Sequence, residues 1–171
     1  MLFSSEGKVV RFAESGVRAM GRTARGVRGI KLGEGHHLSS LVVPQEGSKI
    51  LTVSENGYGK RSGTSEFPVK GRGTKGVIGM TTSERNGSLV GAEQVWDGDE
   101  MMLISNQGTA VRTRVEEVSV QGRNTQGVRV IRTREGEALV SVSRFAEDDV
   151  AATEIQASPD GVAQSAAPVA E

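Results

Sequence analysis

At 171 residues, with 36% hydrophobic but only 4% aromatic side chains, the chain is long enough for one domain whose core rests on Val, Ile, Leu and Met. No stretch approaches the roughly 18 uninterrupted apolar residues of a membrane span, Met1-Leu2-Phe3 runs at once into Ser and Glu unlike a signal peptide, and the lack of cysteine excludes disulfides and thiolate metal sites, which fits a reducing cytoplasm. The net charge of zero divides into residues 1–145, with 21 bases against 15 acids, and residues 146–171, with six acids and no Lys or Arg, an asymmetry that points to a polyanionic partner.

The 23 glycines and the absence of any sustained 3.6-residue apolar period favour short strands joined by tight turns. Strand-like runs lie near residues 1–5, 8–12, 26–32 and 38–43. A second series begins at Leu51-Thr52-Val53-Ser54 and ends with Leu89 to Trp96; a third begins at Leu103-Ile104-Ser105 and ends with Ala138 to Phe145. Glu6-Gly7, Asn56-Gly57 and Gln107-Gly108 each separate the first two runs of a series, as a hairpin turn would.

These series are one repeat written three times. A base stands four residues after each of Gly7, Gly57 and Gly108 (Arg11, Arg61, Arg112), and another fifteen residues after (Arg22, Arg72, Arg123). Nineteen residues after each comes a glycine followed by Val: Gly26, Gly76 and Gly127. The spacings of 50 and 51 residues, with four strands per unit, predict an all-β chain of propeller-like blades of four antiparallel strands, at about 1–48, 49–100 and 101–145. Three blades are too few to close a ring, so the chain reads as the end of a longer blade domain. Residues 146–171 read as an acidic, disordered tail, either a solubilising end or a competitor for the basic surface.

The bases are segregated within the repeat. Residues 7–31, 57–80 and 108–134 hold 18 of the 21 bases and only four acids. Equivalent positions of equivalent blades would line up as one curved basic stripe, suited to duplex DNA through phosphate neutralisation. Each stretch carries Gly-Arg-x-x-x-Gly-Val, in which glycines let backbone amides approach a phosphate and Arg offers a bidentate fork. The expected DNA contacts are Lys8, Arg11, Arg22, Arg25, Arg28, Lys60, Arg61, Arg72, Lys75, Arg112, Arg114, Arg123 and Arg129. Gly7, Gly26, Gly57, Gly76, Gly108 and Gly127 are expected to be structural.

The stretches MLFSSEGKVVRF, ENGYGKR, KGRGTKGVI and VRTRVEEVSVQGRNTQGV resemble the family of C-terminal domains of the DNA gyrase A subunit, over residues 1–145. The resemblance implies a β-pinwheel, a six-bladed relative of the propeller whose basic perimeter wraps duplex DNA in support of ATP-dependent negative supercoiling. It implies as partners the B subunit together with the rest of the A subunit in an A2B2 holoenzyme, in the bacterial cytoplasm at the nucleoid. ATP and magnesium would be used by that holoenzyme, with no cofactor, catalytic tyrosine or ATP site in this chain. The family's box Gln-Arg-Arg-Gly-Gly-Lys-Gly does not occur here; loops 21–26, 71–76 and 122–127 look like its degenerate counterparts. The related topoisomerase IV domain and a propeller that grips peptides remain the alternatives.

Other signals are set aside. Gly59-Lys60-Arg61 lacks the rest of a P-loop, and His36-His37 has no third ligand nearby and reads as a loop pair. Asp97-Gly98-Asp99-Glu100 lacks calcium-loop spacing and reads as an acidic turn between blades, while Trp96 reads as packing. Tyr58, aligned with Lys8 and Thr109, reads as a strand residue. No nucleophile, base or metal cluster assembles into a catalytic set.

Overall fold

The computed structural model describes residues 1–146; the expected tail lies outside them but for Ala146. Eleven strands form three antiparallel sheets. The first unit supplies β1 (Leu2–Ser4), β2 (Lys8–Val10) and β3 (Leu38–Leu41). The second supplies β4 (Lys49–Ser54), β5 (Tyr58–Gly63), β6 (Val77–Ile78) and β7 (Leu89–Val95). The third supplies β8 (Glu100–Ser105), β9 (Ala110–Arg114), β10 (Val128–Arg129) and β11 (Leu139–Phe145). A single 3₁₀ turn follows the second strand of every unit, at Glu14–Gly16, Thr64–Glu66 and Val115–Glu117.

The four runs of a unit do not stay in one sheet. Sheet order is β3-β1-β2-β6, then β10-β5-β4-β7, then β11-β8-β9. The outer strand of each complete sheet is therefore donated by the next unit: Val77 pairs with Val9, and Val128 with Gly59. The corresponding run of the first unit, expected as a strand over 26–32, forms only one isolated bridge, Ile30 to Thr74. A strand needs a ladder partner, and no preceding unit among the described residues offers one. By the same exchange, the third sheet has three strands among the described residues.

Two apolar cores lie between the sheets. Phe3, Val9, Ile50, Tyr58, Phe67, Met80 and Leu89 pack the first seam, with the rings of Phe3 and Phe67 edge to face at 6.1 Å. Leu51, Val53, Val95, Met101, Leu103 and Leu139 pack the second. Strand β4 is buried on both faces, sending Ile50 to one core and Leu51 and Val53 to the other by the two-residue period of a strand. That is why Ile50-Leu51-Thr52-Val53 reads as a nearly continuous apolar run. At the far side of the first sheet, Leu41 and Val43 stay exposed, at 67% and 77%.

Exchange requires the chain to pass close to its neighbour, and glycine permits it. Gly76 and Gly127 have φ of 75° and 79°, and a Cβ there would lie 2.2 Å from the Val9 carbonyl oxygen and 2.5 Å from that of Gly59. Gly26 has the same φ of 79° with open space around it. Gly127→Ala should therefore lower unfolding free energy by more than about 2 kcal/mol, adding a backbone clash to left-handed strain, whereas Gly26→Ala should lower it by about 1 kcal/mol from strain alone. Urea titrations of both variants measure the difference; equal losses would contradict the close approach.

Candidate nucleic-acid interface

The second and third Gly-Arg loops are each hydrogen-bonded to the segment that follows the loop of the unit before. Gly73 N–H donates to the Gly29 carbonyl at 2.5 Å, and Lys31 N–H to that of Thr74 at 2.8 Å. Thr81 N–H donates to the Thr125 carbonyl at 3.0 Å, in the equivalent place one unit on. Arg72 reaches back to the carbonyls of Gly16 (2.9 Å) and Arg28 (3.2 Å), and Arg123 to that of Ile78 (2.9 Å). The second and third loops thus each lean on residues that flank the loop of the preceding unit.

The sequence-derived bases divide into two groups. Arg22, Arg25, Arg28 and Lys75 are exposed, and their side chains make no hydrogen bond or ion pair among the described residues. Lys8 is half-buried on β2; Arg114 is exposed, 3.5 Å from Glu116. Arg112, also exposed, binds Glu100 and lies 5.2 Å over the Phe145 ring.

Arg11, Lys60 and Arg61 belong instead to the seams. Arg11 donates to the carbonyls of Thr64 (2.7 Å) and Phe67 (3.0 Å), in the 3₁₀ segment of the next unit. Arg61 repeats this one unit later, donating to Val118 (2.6 Å) and Glu116 (3.2 Å), and it also binds Asp97. Lys60 donates to the Gly122 carbonyl at 2.7 Å and to that of Arg123. Lys60 is wholly buried and Arg61 is 7% exposed. The expectation that these two face DNA is corrected: carbonyls of the passing segment meet the seam and take donors there, and the repeat's own bases supply them.

The seam cations mostly meet carbonyl oxygens, which satisfy hydrogen bonds without cancelling formal charge. Asp97 is the exception. Its exposed carboxylate takes the Lys49 ammonium at 2.8 Å on both oxygens as well as Arg61, and these bonds, Lys49's first, hold its pKa below the ordinary range. This is the acidic turn between blades expected from the sequence. Its second acid, Asp99, is buried, capping Trp96 N–H at 2.8 Å and binding Arg144. His36 meets Ser5 Oγ at 3.1 Å, and no metal-holding cluster occurs among the described residues. Sequence reasoning missed Arg85, one of only three bases of residues 1–145 outside the repeated basic stretches; the fold places it beside Arg129 and Tyr58.

A family model described as DNA gyrase C-terminal domain, beta-propeller, matches residues 1–45, 48–95 and 99–146, one stretch per unit. The chain belongs to that family. It is 60% identical over 147 residues to the A subunit of DNA gyrase from Pseudomonas aeruginosa and 59% identical to that from Escherichia coli. Each match covers 86% of the chain but only 16% and 17% of those relatives. A solved DNA gyrase A C-terminal domain superposes with a TM-score of 0.78 at 36% identity, covering 85% of the chain and 50% of that structure. The C-terminal domain of DNA topoisomerase IV superposes equally well, at 0.79, but at 23% identity it shares the fold alone. Of the two family alternatives, gyrase A is the one supported.

Burial pushes the Lys60 ammonium down to about 8, with nearby Glu66 opposing and Arg123 reinforcing. Below about pH 8 Lys60 is protonated in both folded and unfolded chains, and the penalty of burying its charge is fully present. Between about 8 and 10.5 the unfolded chain holds more protons, so this site's contribution to stability rises with pH. Urea titrations at pH 7, 8, 9 and 10 should show wild type gaining stability relative to Lys60→Met across that window; parallel pH curves would contradict the buried ammonium.

Proposed function

We propose that the chain binds duplex DNA along the band of Gly-Arg loops and outer strands, as part of the wrapping domain of a gyrase A subunit. The carrying observation is the separation of positive charge from acids. The second and third loops are tied through carbonyls to the preceding unit, and Arg22, Arg25, Arg28 and Lys75 project with no carboxylate partner among the described residues. Cations held in this way release counterions from a phosphate backbone without first breaking ion pairs. Backbone neutralisation reads no bases, so the surface suits a duplex of any sequence bent along a curved path.

The whole enzyme's properties follow by relation. In an A2B2 complex in the bacterial cytoplasm, at the nucleoid, this surface hands a wrapped segment to catalytic parts contributed by the B subunit together with the rest of the A subunit. ATP and magnesium serve those parts. The blades provide geometry and charge.

The test pairs a surface variant with a seam variant. Changing Arg22, Arg25 and Arg28 together to Ala should weaken binding evenly across duplex sequences, with the slope of log K against log salt shallower by roughly 0.9 for each phosphate no longer neutralised. Arg61→Met should instead lower unfolding free energy by about 2 kcal/mol or more, because buried carbonyls lose a charged donor. Fluorescence anisotropy of a labelled duplex at several salt concentrations, together with urea titrations, measures both. An unchanged salt slope in the triple variant would remove these residues from the DNA path.

A further inference from the structure

Tyr58 is the only tyrosine in the chain and sits buried at the start of β5, its ring among the residues of the first core and its hydroxyl in contact with two arginines that are themselves exposed. That hydroxyl accepts two charged hydrogen bonds, from Arg129 Nη2 at 2.8 Å and from Arg85 Nε at 3.3 Å. Both guanidinium carbons lie over the ring, 5.2 and 5.1 Å from its centroid. The oxygen's two lone pairs are thus occupied by cations, while its own O–H has no acceptor among the described residues. Neither arginine has a carboxylate partner among them.

The three groups are held in place by the fold. Arg129 stands directly opposite Tyr58 in the exchanged pair β10–β5. Arg85 lies on a short turn closed by Gly87 N–H to the Ser83 carbonyl at 2.8 Å. Asn56 Nδ2 grips the carbonyls of Glu84 (3.1 Å) and Arg85 (3.2 Å) from outside the turn. From inside, the buried Asn86 side chain accepts from Ser83 N–H at 2.8 Å and donates to the Thr81 carbonyl at 2.8 Å. This arrangement does not repeat. Lys8 and Thr109 occupy the places of Tyr58.

We propose that Tyr58, Arg85 and Arg129 form a seat for one phosphodiester of the bound duplex, with the two guanidiniums donating to its non-bridging oxygens and the phenol O–H completing the set. This deepens the DNA-binding reading and rests on it. Each guanidinium has five N–H donors and uses one on the phenol, so both keep forks for an incoming anion. A planar carboxylate is filled by a single fork, whereas a tetrahedral phosphodiester accepts donors converging from several directions. The phenol acts as a positioning residue for the arginines and as a donor in its own right. The two guanidinium hydrogen bonds, Arg85's first, lower its pKa, which makes it a stronger donor than an ordinary tyrosine.

Because Tyr58 is unique, the chain labelled with ¹³Cζ tyrosine gives one resonance that reports this seat. Titrating with duplex at low salt should move that resonance, and inorganic phosphate at matched ionic strength should move it less and only at far higher concentration. Arg85→Gln should weaken duplex binding about fivefold and make the salt slope shallower by roughly 0.9. Tyr58→Phe, which retains the ring, should weaken it about threefold and leave the slope intact. If the wild-type chain binds duplex while the resonance stays still and both variants bind like wild type, the seat is refuted and the DNA-binding reading stands. A resonance moved by inorganic phosphate but not by duplex overturns the seat as a duplex contact. Failure of the wild-type chain to bind duplex in the anisotropy assay overturns the underlying reading. Arg85 is exposed, so its variant tests the idea even where loss of the phenol disturbs folding.

Discussion

Each of the two four-stranded sheets is finished by a strand that belongs to the next unit, and nearly every other feature answers to that exchange. A donated strand must leave its own unit, cross the seam and lie against the neighbour's second strand. The crossing opens carbonyls at Thr64, Phe67, Glu116 and Val118, and these are the groups that Arg11 and Arg61 satisfy. The return brings glycine within van der Waals exclusion of the neighbour's backbone, which is why Gly76 and Gly127 have no room for a Cβ. Once the strand is seated, the carbonyls of Gly7 and Gly57 each take two N–H donors from it: Gly79 and Met80 in one case, Val130 and Ile131 in the other. Blade contact is therefore made by covalent continuity and backbone hydrogen bonds as well as by apolar packing.

The repeat shows clearly in the sequence, and its partner choice does not. Three glycines in register followed by Val mark three positive-φ positions, while the bases of the repeat divide between exposed positions and the seams. A period fixes which residues are equivalent. It is silent on whether Val77 pairs within its own unit or with the unit before, since both arrangements carry the same apolar pattern. The same limit explains Lys60 and Arg61. Beside a glycine-rich hairpin they look like surface bases, and only the passage of residues 116–123 across them makes that place an interior. Arg85 was hidden for the opposite reason, standing alone in an acidic stretch until the turn at 83–87 brought it to Tyr58.

The choice of acceptor carries the electrostatic consequence. A lysine or arginine taken from water into a seam loses hydration that must be replaced, and a carboxylate would replace it most strongly. Carbonyls replace it less strongly but leave the charge in place. Lys60 shows the cost in its depressed pKa; the return is a backbone-braced surface whose field stays positive. Long-range attraction to a polyanion depends on that net field, so cations buried at a seam add to steering even where they touch no phosphate. Asp97, the carboxylate that binds Arg61, is exposed and follows β7.

Repetition with local variation also shapes how a duplex would be held along this path. Equivalent places in the three units carry Lys8, Tyr58 and Thr109, which differ in what they offer a phosphate. A lysine presents a mobile point charge on a flexible stem, and a threonine a single hydroxyl. The tyrosine is neutral, yet by gathering Arg85 and Arg129 it brings two guanidiniums to one place. A polyanion laid over such a surface meets diffuse attraction along most of its length and one fixed seat at the second unit. Diffuse contacts tolerate sliding and any sequence, while a fixed seat sets phase, because phosphates recur at fixed intervals along the strand. Holding phase at one point and leaving the rest compliant allows a duplex to be bent without being locked.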